Sequence, residues 1–160
     1  MFIVLMGVSG SGKTTVGRML AKELGCAFFD ADDFHPRASV EKMRAAIPLD
    51  DADRIPWLEA LRDLIRRSLE RGEPGVLACS ALKRSYREYL LIDEAVRLIH
   101  LRGDYALIQK RLEERRGHFM NPSLLESQFA ALEEPEPSAQ IDVSASPSEI
   151  VGLIRSRLGI

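Results

Sequence analysis

Gly7, Gly12, Lys13 and Thr14 stand in the run Met6-Gly-Val-Ser-Gly-Ser-Gly-Lys-Thr-Thr15. Glycine, four residues, Gly-Lys and then Ser or Thr is the spacing of a loop that holds phosphates. A triphosphate needs several N–H donors converging on it. Glycines at 7, 10 and 12 let the backbone close around phosphate oxygens where side chains would clash. The helix N-terminus that follows adds the positive end of its dipole. Lys13 reaches the β- and γ-phosphates, the Thr14 hydroxyl is placed to ligate Mg²⁺, and Ser11 and Thr15 complete the cradle. ATP with Mg²⁺ is the ligand this chemistry predicts.

A cradle alone does not separate a transferase from a hydrolase or a nucleotide switch. Phosphoryl transfer to an alcohol also needs an oriented hydroxyl, a proton acceptor, and cations over the γ-phosphate oxygens. Asp30, Asp32 and Asp33 form an acidic cluster, and Asp32 is the candidate proton acceptor. A helix cap or a Mg²⁺-water ligand is its other reading, and Asp30 and Asp33 are ambiguous neighbours. Arg111, Arg115 and Arg116 are candidates for a mobile lid over ATP, with a solvated face paired to Glu113 and Glu114 as the alternative. Lys83 and Arg54 are candidate anchors for an anionic acceptor, or else surface cations. His35 beside Pro36 reads as a hydrogen-bonder that fixes its loop rather than as a base.

The elements that must position these groups alternate between strand and helix. The apolar run 2–6 suits a buried parallel strand, and 13–24 carries apolar residues at helical spacing before Gly25. A second buried strand is expected over 26–30, delivering the acidic cluster to its carboxyl end, where ligands sit in open α/β sheets. A short helix over 39–46 precedes a longer one from Asp53, with Pro56 in its first turn and Trp57 in the core. Strands are expected over 75–79, over 96–101 nearer an edge, and over 141–144. Asn121 and Pro122 open a further helix, and Ser146 with Glu149 makes a capping box for the last one. Alternation of this kind implies a parallel central sheet with right-handed crossovers and helices on both faces.

Composition bounds the function classes. The 160 residues fit one domain, 46% of them hydrophobic and 29% charged, which is a globular balance. A net charge of −2 argues against broad binding to nucleic acid or to an anionic membrane. No apolar stretch approaches a membrane span, and the chain opens directly into its first strand, so a cytoplasmic protein is expected. Cys26 and Cys79 form no CxxC pair and read as reduced core thiols, and the three histidines show no metal-ligand spacing.

Taken together, several stretches resemble the gluconate kinases of the phosphate-loop kinase superfamily. They are Met6-Gly-Val-Ser-Gly-Ser-Gly-Lys13, Asp32 with His35-Pro36, Glu41-Lys42-Met43, and Pro48-Leu49 followed by Asp51, Asp53, Arg54 and Pro56-Trp57-Leu58. Cys79-Ser-Ala-Leu-Lys83 with Tyr86-Arg87, Leu101-Arg-Gly-Asp104, Arg111-Leu112, Arg116-Gly-His-Phe119, and Gln128-Phe129 with Glu134-Pro135 continue the match. The resemblance implies a three-layer kinase domain over residues 1–160, with an acceptor-binding insert at 32–57 and a small helical lid at 112–135. It implies Mg²⁺- and ATP-dependent phosphorylation of D-gluconate at its 6-hydroxyl, giving 6-phospho-D-gluconate, in an often dimeric enzyme. Position by position it gives Lys13 and Thr14 to phosphate and Mg²⁺, Asp32 to the acceptor hydroxyl, His35, Arg54 and Lys83 to the acceptor, and Arg111 and Arg115 to the lid. It also implies glycine where Ala31 and Ala46 stand, asparagine at Ser39, and a basic residue at Leu91. The competing readings are a shikimate kinase, a small nucleoside monophosphate kinase, and a regulatory module that hydrolyses little. A shikimate kinase would show a glycine triplet where Cys79-Ser-Ala-Leu-Lys83 stands.

Overall fold

Strand β1, Phe2–Met6, is five apolar residues buried on every side. Burial of both faces is what the middle of a parallel sheet demands. β1 pairs with β3 (Gly75–Ala78) on one side and β4 (Val96–Arg102) on the other. β2 (Ala27–Asp30) lies beyond β3, and β5 (Gln140–Asp142) lies beyond β4. The order is β2-β3-β1-β4-β5 and every pair is parallel. The computed structural model describes residues 1–115 and 122–160; the lid candidate Arg116, the Gly117-His118-Phe119 run and the Asn121 cap lie outside the described residues.

Because successive side chains on a strand point to opposite faces, β1 feeds two cores at once. Ile3 and Leu5 join one cluster with helix α1 (Lys13–Leu24), α5 (Tyr105–Glu114), α6 (Pro122–Ala131) and α7 (Pro147–Leu158). Phe2, Val4 and Met6 join the other with α3 (Asp51–Glu70) and α4 (Arg84–Leu90). Helices therefore cover both faces, and the carboxyl ends of β1, β2 and β3 all open on one side, where the phosphate loop, the acidic cluster and the Ser80 turn begin. No helix among the described residues is long and apolar enough to cross a membrane.

Several local expectations move. The strand expected to be buried over 26–30 is an edge strand whose residues are exposed or half-buried, with Arg18 lying 5.5 Å from the Phe28 ring centroid. Its aromatics are read as core by composition, yet only one side of the strand finds a partner. α3 begins at Asp51 rather than Asp53, because Asp50 and Asp53 cap each other reciprocally, and Pro56 therefore falls in the second turn. α2 (Arg37–Arg44) ends earlier than expected, at a turn that needs a left-handed residue. Ala46 holds that position with φ 55°, donating to the Met43 carbonyl while Ile47 donates to Lys42. This is a Schellman ending, in which glycine is the usual occupant. Ser146 and Glu149 form the expected capping box on α7.

Candidate active site

The phosphate loop follows β1 and is shaped by close approach. A Cβ on Gly7 would lie 2.6 Å from the Ser11 hydroxyl and 2.8 Å from the Leu101 carbonyl. One on Gly10, at φ +83°, would lie 2.9 Å from Leu112 of α5. Ser11 is fully buried beneath the turn, and Gly12 provides the left-handed entry to α1 at φ 94°. The Lys13 ammonium donates to the carbonyls of Gly7 and Val8, both at 2.9 Å. Lys13 is only half-buried as a residue, but its charged end sits under the loop, and burial pulls its pKa down from 10.5 to about 8. Asp32 and Asp30 push it back up, and Arg115 pushes it further down. A lysine short of countercharge with a second cation facing it is an electrostatic site for a polyanion.

Thr14 and Thr15 open α1 and are exposed. The Thr14 hydroxyl donates to Asp30 at 3.2 Å. Asp30 also accepts from the Asp32 N–H at 3.1 Å, so Asp30 is the residue that caps the 3-10 turn Ala31–Phe34. The capping alternative weighed for Asp32 is thus filled by its neighbour. Asp32 itself carries a side chain that is 89% exposed. Desolvation and the Asp30 charge raise its pKa, against the pull of His35 and Lys13; at that exposure water screens most of the push. Lys13 and Asp32 act on each other electrostatically, and both follow strands at their carboxyl ends.

A small packed unit fixes Asp32. The His35 ring stacks on Trp57 at 4.5 Å between centroids and 10° between planes, with its Nε2 4.0 Å from the Asp32 carboxylate. The Trp57 indole donates to the Ala31 carbonyl at 2.7 Å. Burial lowers the His35 pKa, which favours a neutral ring at physiological pH. His35 is therefore placed beside Asp32 by stacking on Trp57 and not by the hydrogen bond expected of it, since its buried Nδ1 has no partner among the described residues.

Across the cleft the Ser80–Lys83 turn leaves β3. Ala81 is buried at φ 43°, and the buried Arg87 guanidinium holds the turn by donating to the carbonyls of Ala81 (3.1 Å) and Leu82 (3.0 Å). The Gly7 N–H donates to Ser80, tying the turn to the phosphate loop. Lys83 reaches both oxygens of Asp51, at 3.0 and 3.3 Å, and Tyr86 donates to the same carboxylate. The Tyr86 and Lys83 contacts hold the Asp51 carboxyl below its ordinary pKa. Arg54 lies 5.6 Å and Lys83 5.5 Å from the Tyr86 ring centroid, so both cations neighbour one aromatic ring. Arg111 donates to the Val143 carbonyl and is turned toward the end of β5, whereas Arg115 stands exposed on the loop side. Among the described residues Glu114 lies 3.9 Å from Lys110.

The donor set fits Mg²⁺ used with phosphate. Among the described residues no three His, Cys, Asp or Glu converge into a metal cage. Thr14 and Asp30 offer hard oxygens at the loop, and Mg²⁺ commonly takes one or two protein oxygens beside substrate phosphate and water. Cys79 is buried, its thiol pushed up to about 12 by desolvation, and is inert.

Comparison with known proteins now adds a family. A family model described as "Shikimate kinase" matches residues 9–140. The "Gluconokinase" of Gluconobacter oxydans (strain 621H) is 46% identical over 154 residues, covering 94% of this chain and 86% of that one. The chain belongs to the gluconokinase family of phosphate-loop kinases. A crystal structure of a gluconokinase from Sinorhizobium meliloti 1021 matches with TM-score 0.88 and 40% identity, over 98% of this chain and 90% of that chain. A shikimate kinase structure from Aquifex aeolicus VF5 has TM-score 0.68 at 18% identity, covering 99% of this chain and 96% of that one, which shows a shared fold. For a gluconokinase-family chain, the residues missed by reading sites from spacing are Asp51, Tyr86, Arg87 and Trp57. Their partners lie far away in sequence or, for Arg87, on carbonyls that carry no side-chain signal. Asp51, Tyr86 and Arg87 enter the sequence reading only as pieces of a resemblance.

Proposed function

We propose that the chain moves the γ-phosphoryl group of ATP to the 6-hydroxyl of D-gluconate, yielding 6-phospho-D-gluconate and ADP. The reading is supported above all by the mutual charge influence of Lys13 and Asp32, which follow β1 and β2 at the carboxyl ends of the parallel sheet, with Asp30 and Arg115 acting on the same lysine. The acceptor oxygen forms a bond to the γ-phosphorus while the bond from that phosphorus to the β–γ bridging oxygen breaks, and the hydroxyl proton passes to Asp32. Asp32 also aims the hydroxyl, which in a loose transition state counts for as much as its basicity. Lys13 and Arg115 answer the charge spread over the phosphate oxygens. Thr14, whose hydroxyl donates to Asp30, would hold Mg²⁺, and the ion would supply neutralisation of the phosphate charge.

Gluconate's carboxylate suits Lys83 and Arg54, and its row of hydroxyls suits Asp32 and His35. In this reading residues 32–57 receive the acceptor and 112–135 form the lid, with α6 staying packed on the core and Arg111 turning from Val143 toward nucleotide. The enzyme is read as cytoplasmic, and its assembly admits a homodimer. The test is ADP release with gluconate, other sugar acids, shikimate and nucleoside monophosphates offered in turn. Gluconate-stimulated release that disappears in Lys13→Ala is expected; stimulation by shikimate or a monophosphate instead, or nucleotide binding without turnover, would replace the proposal.

A further inference from the structure

The phosphate loop has a long-range side-chain partner that the mechanism above leaves unused. The Ser9 N–H donates to the Gln128 amide oxygen at 2.7 Å, and the Gln128 amide nitrogen donates to the Ser9 hydroxyl at 3.0 Å. A backbone N–H can only donate, so the amide orientation is fixed by the first bond and the second follows from it. The contact joins residues 119 apart in sequence, at a half-buried position.

Gln128 is not a surface amide that happens to reach the loop. It sits on α6, whose Leu125 is buried in the core beside α5 and whose Phe129 ring packs against Tyr105 at 5.5 Å. The segment after α6 is anchored too, Glu133 donating to the Leu82 carbonyl at 2.9 Å and accepting from the Arg84 N–H. Ser9 follows Val8, whose carbonyl accepts from the Lys13 ammonium. Since the loop lysine serves the β- and γ-phosphates, Ser9 belongs to the terminal-phosphate rim of the cradle.

The geometry points to Gln128 as a positioning residue for the terminal phosphate, acting through Ser9. Its two-point grip holds the Val8-Ser9 segment, and with it the carbonyl that aims Lys13, in the shape that accepts a γ-phosphoryl group. The inference rests on ATP being the loop's nucleotide. Two neutral hydrogen bonds at a preorganised site correspond to about a tenfold effect on the step they serve. That effect falls on ATP, which carries the γ-phosphate, and spares ADP, which does not.

The experiment is calorimetric binding of ADP and of a non-hydrolysable ATP analogue to the full chain, wild type against Gln128→Ala and Gln128→Glu. Expected is about a tenfold fall in the preference for the ATP analogue over ADP in Gln128→Ala. A fall is expected in Gln128→Glu too, which keeps an acceptor for the Ser9 N–H but loses the donor to the Ser9 hydroxyl. A double-mutant cycle with Ser9→Ala should show coupling in ATP binding and none in ADP binding. An unchanged preference, or ATP and ADP affinities falling in parallel, overturns the inference, because a merely structural glutamine would affect both alike. Failure of the wild type to bind ATP would instead remove the kinase reading itself.

Discussion

The phosphate loop and the wall of Ala31, Asp51, Trp57, Lys83 and Tyr86, to which the proposal assigns the acceptor, are held together over different lengths of chain. Lys13 bonds to carbonyls five and six residues away. In the wall, Trp57 reaches back 26 residues to Ala31, and Lys83 and Tyr86 reach back 32 and 35 to Asp51. Local contacts cost little chain entropy to form, so the loop's shape is set by its own glycines and the helix that follows. The wall depends on where α3, α4 and β3 come to lie. Substitutions in the wall should therefore alter the handling of the acceptor while leaving nucleotide binding in place, and pH should act on the loop through its buried ammonium.

The sharpest test of that division is Asp32→Asn, since Asp32 follows Ala31 of the wall and acts on Lys13 of the loop by its charge. Turnover with gluconate should fall by about 10²- to 10⁴-fold, the range general-base loss gives, while ATP affinity stays within about twofold. Steady-state kinetics beside calorimetry checks both, and unchanged turnover would remove Asp32 from the base role. Next comes Lys83→Met, which keeps the length of the side chain and deletes its charge. The gluconate KM should rise by about tenfold or more, the scale of a lost charged hydrogen bond, with the ATP KM nearly constant. A parallel rise in both would mean that wall and loop are not separable.

A smaller effect comes from pH. The free enzyme's Lys13 loses its proton above about pH 8, where an unperturbed lysine keeps it to about 10.4. The deprotonated amine carries no charge for phosphate, so kcat/KM for ATP should decline above pH 8. Bound phosphate favours the charged form, so kcat should hold to higher pH. A profile of kcat/KM flat to pH 10 would contradict the buried ammonium. The smallest effect tests the wall's scaffold alone. Ala46→Gly relieves a left-handed alanine at the end of α2 and should stabilise the fold by about 1 kcal/mol in urea denaturation, without a kinetic change. Loss of stability there would show that the α2 ending is not as described.

Much of this molecule is legible in the order of its residues. The run of five apolar residues in β1 required a central strand, Gly25 stops α1, and Ser146 with Glu149 caps α7. The misreadings have physical sources. β2 carries two phenylalanines yet lies at the sheet edge, because strand order is not encoded in a strand's own composition. α3 starts two residues early because two aspartates cap each other, a variant of the box usually recognised by Ser or Thr with Glu or Gln. The division of labour between Asp30 and Asp32 depended on which one met Thr14 and the turn N–H, and adjacent carboxylates offer no sequence signal for that.

By itself, the sequence determined that a glycine loop between a strand and a helix would cradle phosphate, since the backbone conformations involved are local properties of glycine and of a helix start. Tertiary structure alone decided that Asp51 would face Lys83 and Tyr86, that Trp57 would hold Ala31 and stack on His35, and that Gln128 would grip Ser9. Those contacts exist only once the helices have packed on the two faces of the sheet. A side chain's distant partner is fixed by the burial of other residues, and no spacing within its own segment records it.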